Sequence, residues 1–338
     1  MSELRLNLIT GEWVIIATER AKRPEEFKQA GAKRVLPPFS ENCPFCPGHE
    51  DRTPPETLRI PDDGRWLVRA VPNKFSALTP EGDPTRYDAG LKTRLAGIGR
   101  HEVVIESPAH DATTALLPVE QVERVLGACR DRLRAFYREP SVEHVIIFKN
   151  HGEAAGTSLE HPHCQIVGTP VLPGQLRRRI EEAMRFWGDF ASCLYCRTLA
   201  DELAEGVRVV TENASFVAFI PYAALSPFHL WITPRRHCAN FGAVDDSELA
   251  DLAAILRDVL RRLHVGLGDP DFNWVIRSLS PEESAVKYFH WYLSLVPRVS
   301  RAAGFELGTG MFINTALPET SAAFLRSVSV GDSQTLTG

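Results

Sequence analysis

Residues 158–173 read SLEHPHCQIVGTPVLP, and residues 289–299 read FHWYLSLVPRV. Laid over one another, HPHCQIV and HWYLSLV set His161 opposite His290 and His163 opposite Tyr292. Both read as strands, and in a strand residues two apart share a face, so His161 and His163 point the same way. One histidine is repeated in the second stretch and the other is not. That asymmetry decides how the chain is read.

Working outward, each stretch closes a longer pattern. HEVVIESPAH (101–110) and HLWITPRRH (229–237) are strands bounded by histidines. Each is followed by a run with apolar residues at helical spacing, 117–139 in the first case and 245–267 in the second. Asp and Ser at the start of the second run suit a helix N-cap. A strand then precedes each opening stretch, HVIIFKN (144–150) and FNWVIRS (272–278). His110 and His237 lie 127 residues apart, and His161 and His290 lie 129 apart. A repeat this long is a duplicated domain, not a solenoid. The fold class expected is α+β: tandem units, each a mainly antiparallel sheet with helices packed across it. The units are placed at 1–173 and 174–326, with a polar tail at 327–338. RLNLITGEWVIIA opens the chain as a hairpin turning at Thr10-Gly11, and 174–190 reads as a charged helix.

The composition is that of an ordinary globular chain, 44% hydrophobic and 24% charged over 338 residues, with a formal net charge of −5. That balance gives no reason to expect nucleic acid or an anionic membrane as a partner. No apolar run reaches the length of a membrane span, and MSELRLNLITGEW lacks the apolar core of a signal peptide. A cytoplasmic location is expected, where cysteines are thiols or metal ligands rather than disulfides.

Four of the seven cysteines form C-x-x-C pairs, Cys43/Cys46 and Cys193/Cys196, each ahead of two histidines at matching places in the repeat. Zinc takes four N and S ligands in a tetrahedron, and C-x-x-C is a common half-site. Two zinc sites are expected: Cys43, Cys46, His110 and His161, and Cys193, Cys196, His237 and His290. The alternative is two metal-free thiol turns. A redox role is disfavoured, since neither pair is read as opening an amphipathic helix. His163 is left as the chemical residue, because a structural need common to both halves would not require it. Upstream, FKNHGEAAGTSLE (148–160) carries small residues whose N–H groups can approach phosphate oxygens, with Lys149 as a nearby charge. It lacks the closing G-K-S/T of a Walker loop. A histidine nucleophile beside such a loop points to attack on phosphorus.

HPHCQ after this loop resembles the H-P-H-G-Q signature of galactose-1-phosphate uridylyltransferases, of the histidine-triad superfamily. ERAKRP, CPFC, VPNKFSAL, VVIESPAH, FKN and GFELGTGMFIN (304–314) have family counterparts in the same order. The second C-x-x-C and the HWYLSLVP strand are similar to the branch that includes plant-type ADP-glucose:phosphate adenylyltransferases. The resemblance implies a ping-pong nucleotidyltransferase in which His163 becomes nucleotidyl-histidine and Gln165 holds the transferred phosphate. It implies that Arg20, Arg23 and Asn73 line the nucleotide and phosphate site, where Lys149, Asn150, Gly156, Thr157 and Ser158 of the loop segment are also placed. Phe305 and Glu306 would meet the sugar, with that segment supplied by the partner of a homodimer. The partners expected are a nucleotide sugar and a sugar 1-phosphate or phosphate. UDP-glucose:hexose-1-phosphate (galactose-1-phosphate) uridylyl transfer is placed first and ADP-glucose phosphorolysis second. Chemistry on dinucleoside polyphosphates, or a zinc-stabilised binding module without catalysis, are the remaining alternatives. The family glycine after the second histidine is Cys164 here, whose side chain either crowds the phosphate or packs behind the strand.

Overall fold

The computed structural model describes residues 2–20, 23–28, 35–61, 63–83 and 85–331. The chain opens on a hairpin of β1 (Glu3–Asn7) and β2 (Glu12–Ile16), with Gly11 at φ 69° supplying the left-handed turn residue. The first half continues with β3 (Leu58–Ile60), β4 (Val68–Pro72), an exposed hairpin of β5 (Tyr87–Ala89) and β6 (Lys92–Arg94), and β7 (Arg100–Ile105). Helix α1 (Val119–Phe136), β8 (His144–His151) and β9 (His163–Thr169) complete it. Helices α2 (Gly174–Phe190) and α3 (Leu194–Glu205) lead into the second half. That half comprises β10 (Val209–Glu212), β11 (Phe216–Phe219), β12 (Leu230–Pro234), helix α4 (Asp246–Leu267), β13 (Phe272–Arg277) and β14 (Tyr292–Pro297). Helix α5 (Gly304–Thr309), β15 (Phe312–Asn314) and helix α6 (Pro318–Ser327) close the chain.

Ten strands form one sheet in the order β10-β11-β12-β14-β13-β8-β9-β7-β4-β3. Every pairing within it is antiparallel. β8 and β13 meet at the centre, and the order reads outward alike on both sides. This is the tandem α+β architecture read from the repeat, with the units fused edge to edge into a single sheet.

Helices α1 and α4 lie on the same face of the sheet and against each other. Their buried stripes, including Val122, Leu126 and Leu133 of α1 and Leu252, Leu256 and Leu263 of α4, form one core with Ile147 and Ile166 of the strands. Each such side chain stabilises by about 1.5–3 kcal/mol on leaving water. Asp245 caps α4, accepting from the Glu248 N–H at 2.8 Å, and Gly268 ends it at φ 73°.

Two features go beyond the sequence reading and a third corrects it. RVVTENASFVAFIPY is two strands, because Asn213 Oδ1 accepts from the N–H groups of Ser215 (3.2 Å) and Phe216 (2.8 Å) and folds the chain back. β2 pairs in parallel with β15, and Arg5 reaches Glu319 at 2.8 Å, so the first residues of the chain dock on its last elements. The second C-x-x-C does open a helix: Cys193 is the N-cap of α3 and Cys196 lies in its first turn. Among the described residues no helix is long and apolar enough to cross a membrane. Residues 332–338 of the polar tail lie outside the described residues.

Candidate active site and two Cys2His2 clusters

β9 carries His163, Gln165 and Val167 on one face and Cys164 and Ile166 on the other. The second face is the core beneath α1. Cys164 is fully buried there, 3.5 Å from Cys129 of α1, so its side chain packs behind the strand and away from His163. Phe45, from the first C-x-x-C turn, lies edge-on to the His163 ring, 5.6 Å between centroids.

His163 is 6% exposed. Its Nδ1–H donates to its neighbour's carbonyl, His161 O, at 2.8 Å. That fixes the tautomer and leaves Nε2 with its lone pair free of partners among the described residues. Burial holds the imidazole below the ordinary histidine pKa; the Nδ1 bond opposes this, and Lys149 beneath the strand reinforces it. A neutral, oriented imidazole in a largely dry site is equipped for nucleophilic attack.

Gln165 is held two residues on. His101 Nε2 lies 2.9 Å from Gln165 Oε1 and 3.1 Å from Asn73 Nδ2, so one imidazole nitrogen links both amides and satisfies one at a time. His101 is absent from the sequence-based site. The signal for it was present, because His101 and His229 open the two matching strands. Asn150 on β8 accepts from Asn273 Nδ2 at 2.7 Å, and Thr157 Oγ1 donates to Asn150 O at 3.0 Å. These bonds anchor the loop between β8 and β9. Asp271 clamps the same loop by accepting from Ala154 N–H at 2.7 Å, and a Cβ on Gly152 would fall 2.0 Å from its carboxylate. Gly152 is thus required by space as well as by its φ of 85°. Gly156, also at φ 85°, and Ser158 stand exposed on the loop.

Lys149 is placed differently from the loop residues. It is 1% exposed on the core side of β8, with Nζ 2.6 Å from Glu106 Oε1 and 3.4 Å from His163 O. Its charge goes to Glu106, whose other oxygen accepts from Thr114 at 2.8 Å. Lys149→Met is therefore expected to strand a buried carboxylate and to cost about 3–5 kcal/mol in urea denaturation. Adding Glu106→Gln should recover much of that loss, and a single variant as stable as the parent would refute the pairing.

The remaining expected site residues are dispersed. Arg23 is exposed, with its backbone N–H on Glu26 at 2.6 Å, and the side chain of Arg20 lies outside the described residues. Phe305 and Glu306 lie on α5, and Glu306 lines a cavity in the second half. No hydrogen bond, ion pair or ring contact joins either one to His163 among the described residues.

The two proposed ligand sets each come together. In Cys43, Cys46, His110 and His161, and in Cys193, Cys196, His237 and His290, the ligand atoms lie within 4.8 Å of one another. His161 Nε2 donates to Ser107 O at 2.8 Å and His237 Nε2 to Val286 O at 3.0 Å, turning each Nδ1 lone pair toward its sulfurs. Two sulfurs and two aimed nitrogens fit a tetrahedral zinc ion.

Residues 1–173 match the family model for galactose-1-phosphate uridyl transferase, N-terminal domain. Residues 100–327 match that of a domain of unknown function, DUF4921. The chain is 34% identical over 333 residues to the ADP-glucose phosphorylase of Arabidopsis thaliana, spanning 97% of this chain and 93% of that one. It is 28% identical over 340 residues to the galactose-1-phosphate uridylyltransferase of Thermotoga maritima, spanning 98% and 99%. The crystal structure of the Arabidopsis ADP-glucose phosphorylase with bound ADP-glucose superposes with a TM-score of 0.83 at 31% identity, covering 98% of this chain and 100% of that one. A uridylyltransferase structure superposes with a TM-score of 0.74 at 27% identity, covering 97% and 98%.

Proposed function

The chain belongs to the galactose-1-phosphate uridylyltransferase family and is a nucleotidyltransferase; on that premise we propose that it transfers the adenylyl group of ADP-glucose to phosphate through a covalent bond to His163. The observation that carries the mechanism is the His163 ring, buried and tied at Nδ1 to His161 O, with burial holding its pKa below the ordinary histidine value. Nε2 attacks the α-phosphorus, the bond to the bridging oxygen breaks, and glucose 1-phosphate leaves. Inorganic phosphate then attacks the same phosphorus from the open side, giving ADP and freeing Nε2. Throughout, the proton stays on Nδ1, and its hydrogen bond to His161 O steadies the positive charge that the ring acquires. Gln165, positioned by His101, and the N–H groups near Gly156, Thr157 and Ser158 receive the charge on the non-bridging oxygens.

The adenylyl reading is favoured by full-length likeness to the Arabidopsis phosphorylase and by the second Cys2His2 cluster. Uridylyl transfer between UDP-glucose and galactose 1-phosphate, placed first on sequence alone, becomes the second reading, favoured by the likeness to the Thermotoga enzyme. The two clusters would hold zinc; with four protein ligands each, the ion supplies a structural cross-link. Residues 1–173 are the catalytic unit in this reading and 174–326 its counterpart without a nucleophile. In a homodimer, Phe305 and Glu306 would serve the partner's sugar site.

The test is intact mass after separate incubation with ADP-glucose and UDP-glucose. An AMP-sized adduct that discharges on adding phosphate supports the phosphorylase reading. A UMP-sized adduct that discharges only on adding galactose 1-phosphate moves it to the second. Folded protein that forms neither adduct defeats both.

A further inference from the structure

The duplication gives the second half a face equivalent to the one bearing His163. Register fixes the correspondence. In the first half His163 pairs with Ile105, and Gln165 lies opposite Val103 and Phe148. In the second, Tyr292 lies opposite Arg277, and Ser294 opposite Trp231 and Val275. Tyr292 thus replaces His163, Ser294 replaces Gln165, and Arg277 takes the position of Asn150. His229 takes that of His101, and its Nε2 stands 2.8 Å from Ser294 Oγ, as His101 Nε2 stands 2.9 Å from Gln165 Oε1. The supporting polar pair survives while the nucleophile is gone.

This face is not filled in. A cavity of about 420 Å³ lies over it, bounded by β12, β13, β14, the start of α2 and the segment leading into α5. That volume falls in the range of small-molecule sites. Five arginines line it (178, 179, 277, 298 and 301) against two carboxylates, Glu12 and Glu306. Glu12 is taken by Arg178 at 3.0 Å, and Glu306 accepts from its own helix N-cap, Ala303, at 2.9 Å. Among the described residues neither inner arginine, Arg179 or Arg277, forms an ion pair with a carboxylate. Arg179 donates to Tyr292 Oη at 3.1 Å and to Gln175 O at 2.8 Å. Arg277 makes one long contact, 3.4 Å to Gln175 Oε1, and its buried Nε has no hydrogen-bond partner among the described residues. Burial disfavours the charge of Arg277 first of all, and the Arg179 charge beside it adds to that cost. Against its own burial, Arg179 is held charged by Tyr292 and, at longer range, by Tyr195 and Glu12. A desolvated guanidinium at Arg277, with a second at Arg179 beside it over an open cavity, lacks its counter-charge.

We propose that the second half keeps a non-catalytic binding site, in which Arg179 and Arg277 hold the phosphate of a small phosphorylated metabolite against the wall formed by Trp231 and Tyr292. The bidentate fork of arginine suits phosphate oxygens. Without a histidine at 292 the bound phosphate is held and not transferred. The site does not depend on the substrate assigned to His163, and its test involves no turnover.

The test combines location with affinity. Crystals soaked in sodium tungstate should show anomalous density between Arg179 and Arg277. Equilibrium dialysis with radiolabelled pyrophosphate should find a site per chain that Arg277→Leu weakens roughly 10- to 100-fold. In phosphate-free buffer the same variant should unfold at a temperature equal to or above that of the parent, because it removes an uncompensated buried cation. Pyrophosphate should then stabilise the parent more than the variant. Arg179→Gln serves the same purpose if Arg277→Leu does not fold. No density in the cavity, or unchanged pyrophosphate binding in a folded variant, overturns the proposal. Density in the crystal without binding in solution marks an adventitious ion only, and overturns it equally.

Discussion

His163→Gly is expected to lower kcat on the order of a million-fold, the scale of losing a covalent nucleophile. Among the described residues no neighbouring histidine or cysteine can take its place. His101 shares the face, but its Nε2 is engaged by Gln165 and Asn73. His161 has both nitrogens engaged, with Nε2 on Ser107 O and Nδ1 facing the two sulfurs. Cys164, next in sequence, projects through the sheet toward Cys129. The substitution should leave stability nearly intact, since His163 makes one hydrogen bond and lies outside both ligand sets. Gln165→Ala is a graded comparison. Losing one aimed donor should cost about 100- to 1000-fold in kcat while the nucleotide adduct still forms, slowly. Rates and adduct mass for the three proteins decide the matter. A His163→Gly protein that turns over at a sizeable fraction of the parent rate, or that still carries the adduct, would remove His163 from the chemistry.

Much of this was legible because the duplication left its mark on spacing. Two C-x-x-C pairs and four histidines at repeated offsets identified both clusters, and the single unmatched histidine stood out against Tyr292. What stayed hidden depends on contacts that periodicity does not record. Lys149 alternates with Phe148 and Asn150, so strand geometry sends it into the core, but only the fold reveals Glu106 waiting there. The pairing of β2 with β15 joins segments almost the whole chain apart. The helix after Cys193 escaped notice because neither C-x-x-C pair was read as opening an amphipathic helix. In the structure it is the N-cap and first turn of α3, and Leu194 and Leu199 bury against α2 and the sheet. His101 was visible and passed over because a lone histidine at a strand start has ordinary explanations; its role appears only when Gln165 is seen beside it.

Metal removal should separate the two clusters, although their ligands are the same. The first is built largely from turns: Cys43 and Cys46 lie in irregular chain before β3, and the local core contains Phe45, Trp66, Val71, Val103 and Ile105. All four ligand side chains are buried. Without an ion, two thiols and two imidazoles must share contacts of 3.6–3.8 Å that are poor substitutes for metal bonds. Structural zinc contributes on the order of 10 kcal/mol to small domains that have little other core. The second cluster rests on α3 and on the larger core around Tyr195, Phe289 and Tyr292, which remains when the ion leaves. Cys46→Ser is therefore expected to lower the midpoint of thermal unfolding by roughly 10 °C or more and to reduce kcat steeply. Its kcat falls because His161, which presents its carbonyl to His163 Nδ1, loses its anchor, and because Phe45 leaves the ring it packs against. Cys196→Ser should destabilise less and keep most of its kcat, since Tyr292 stands where a nucleophile would be. Elemental analysis of the parent should give two zinc ions per chain, and one in each variant. A parent that purifies without metal yet melts as high as the loaded protein would dismiss both clusters as zinc sites. Equal losses of kcat in the two variants would show that the first cluster has no special hold on His163.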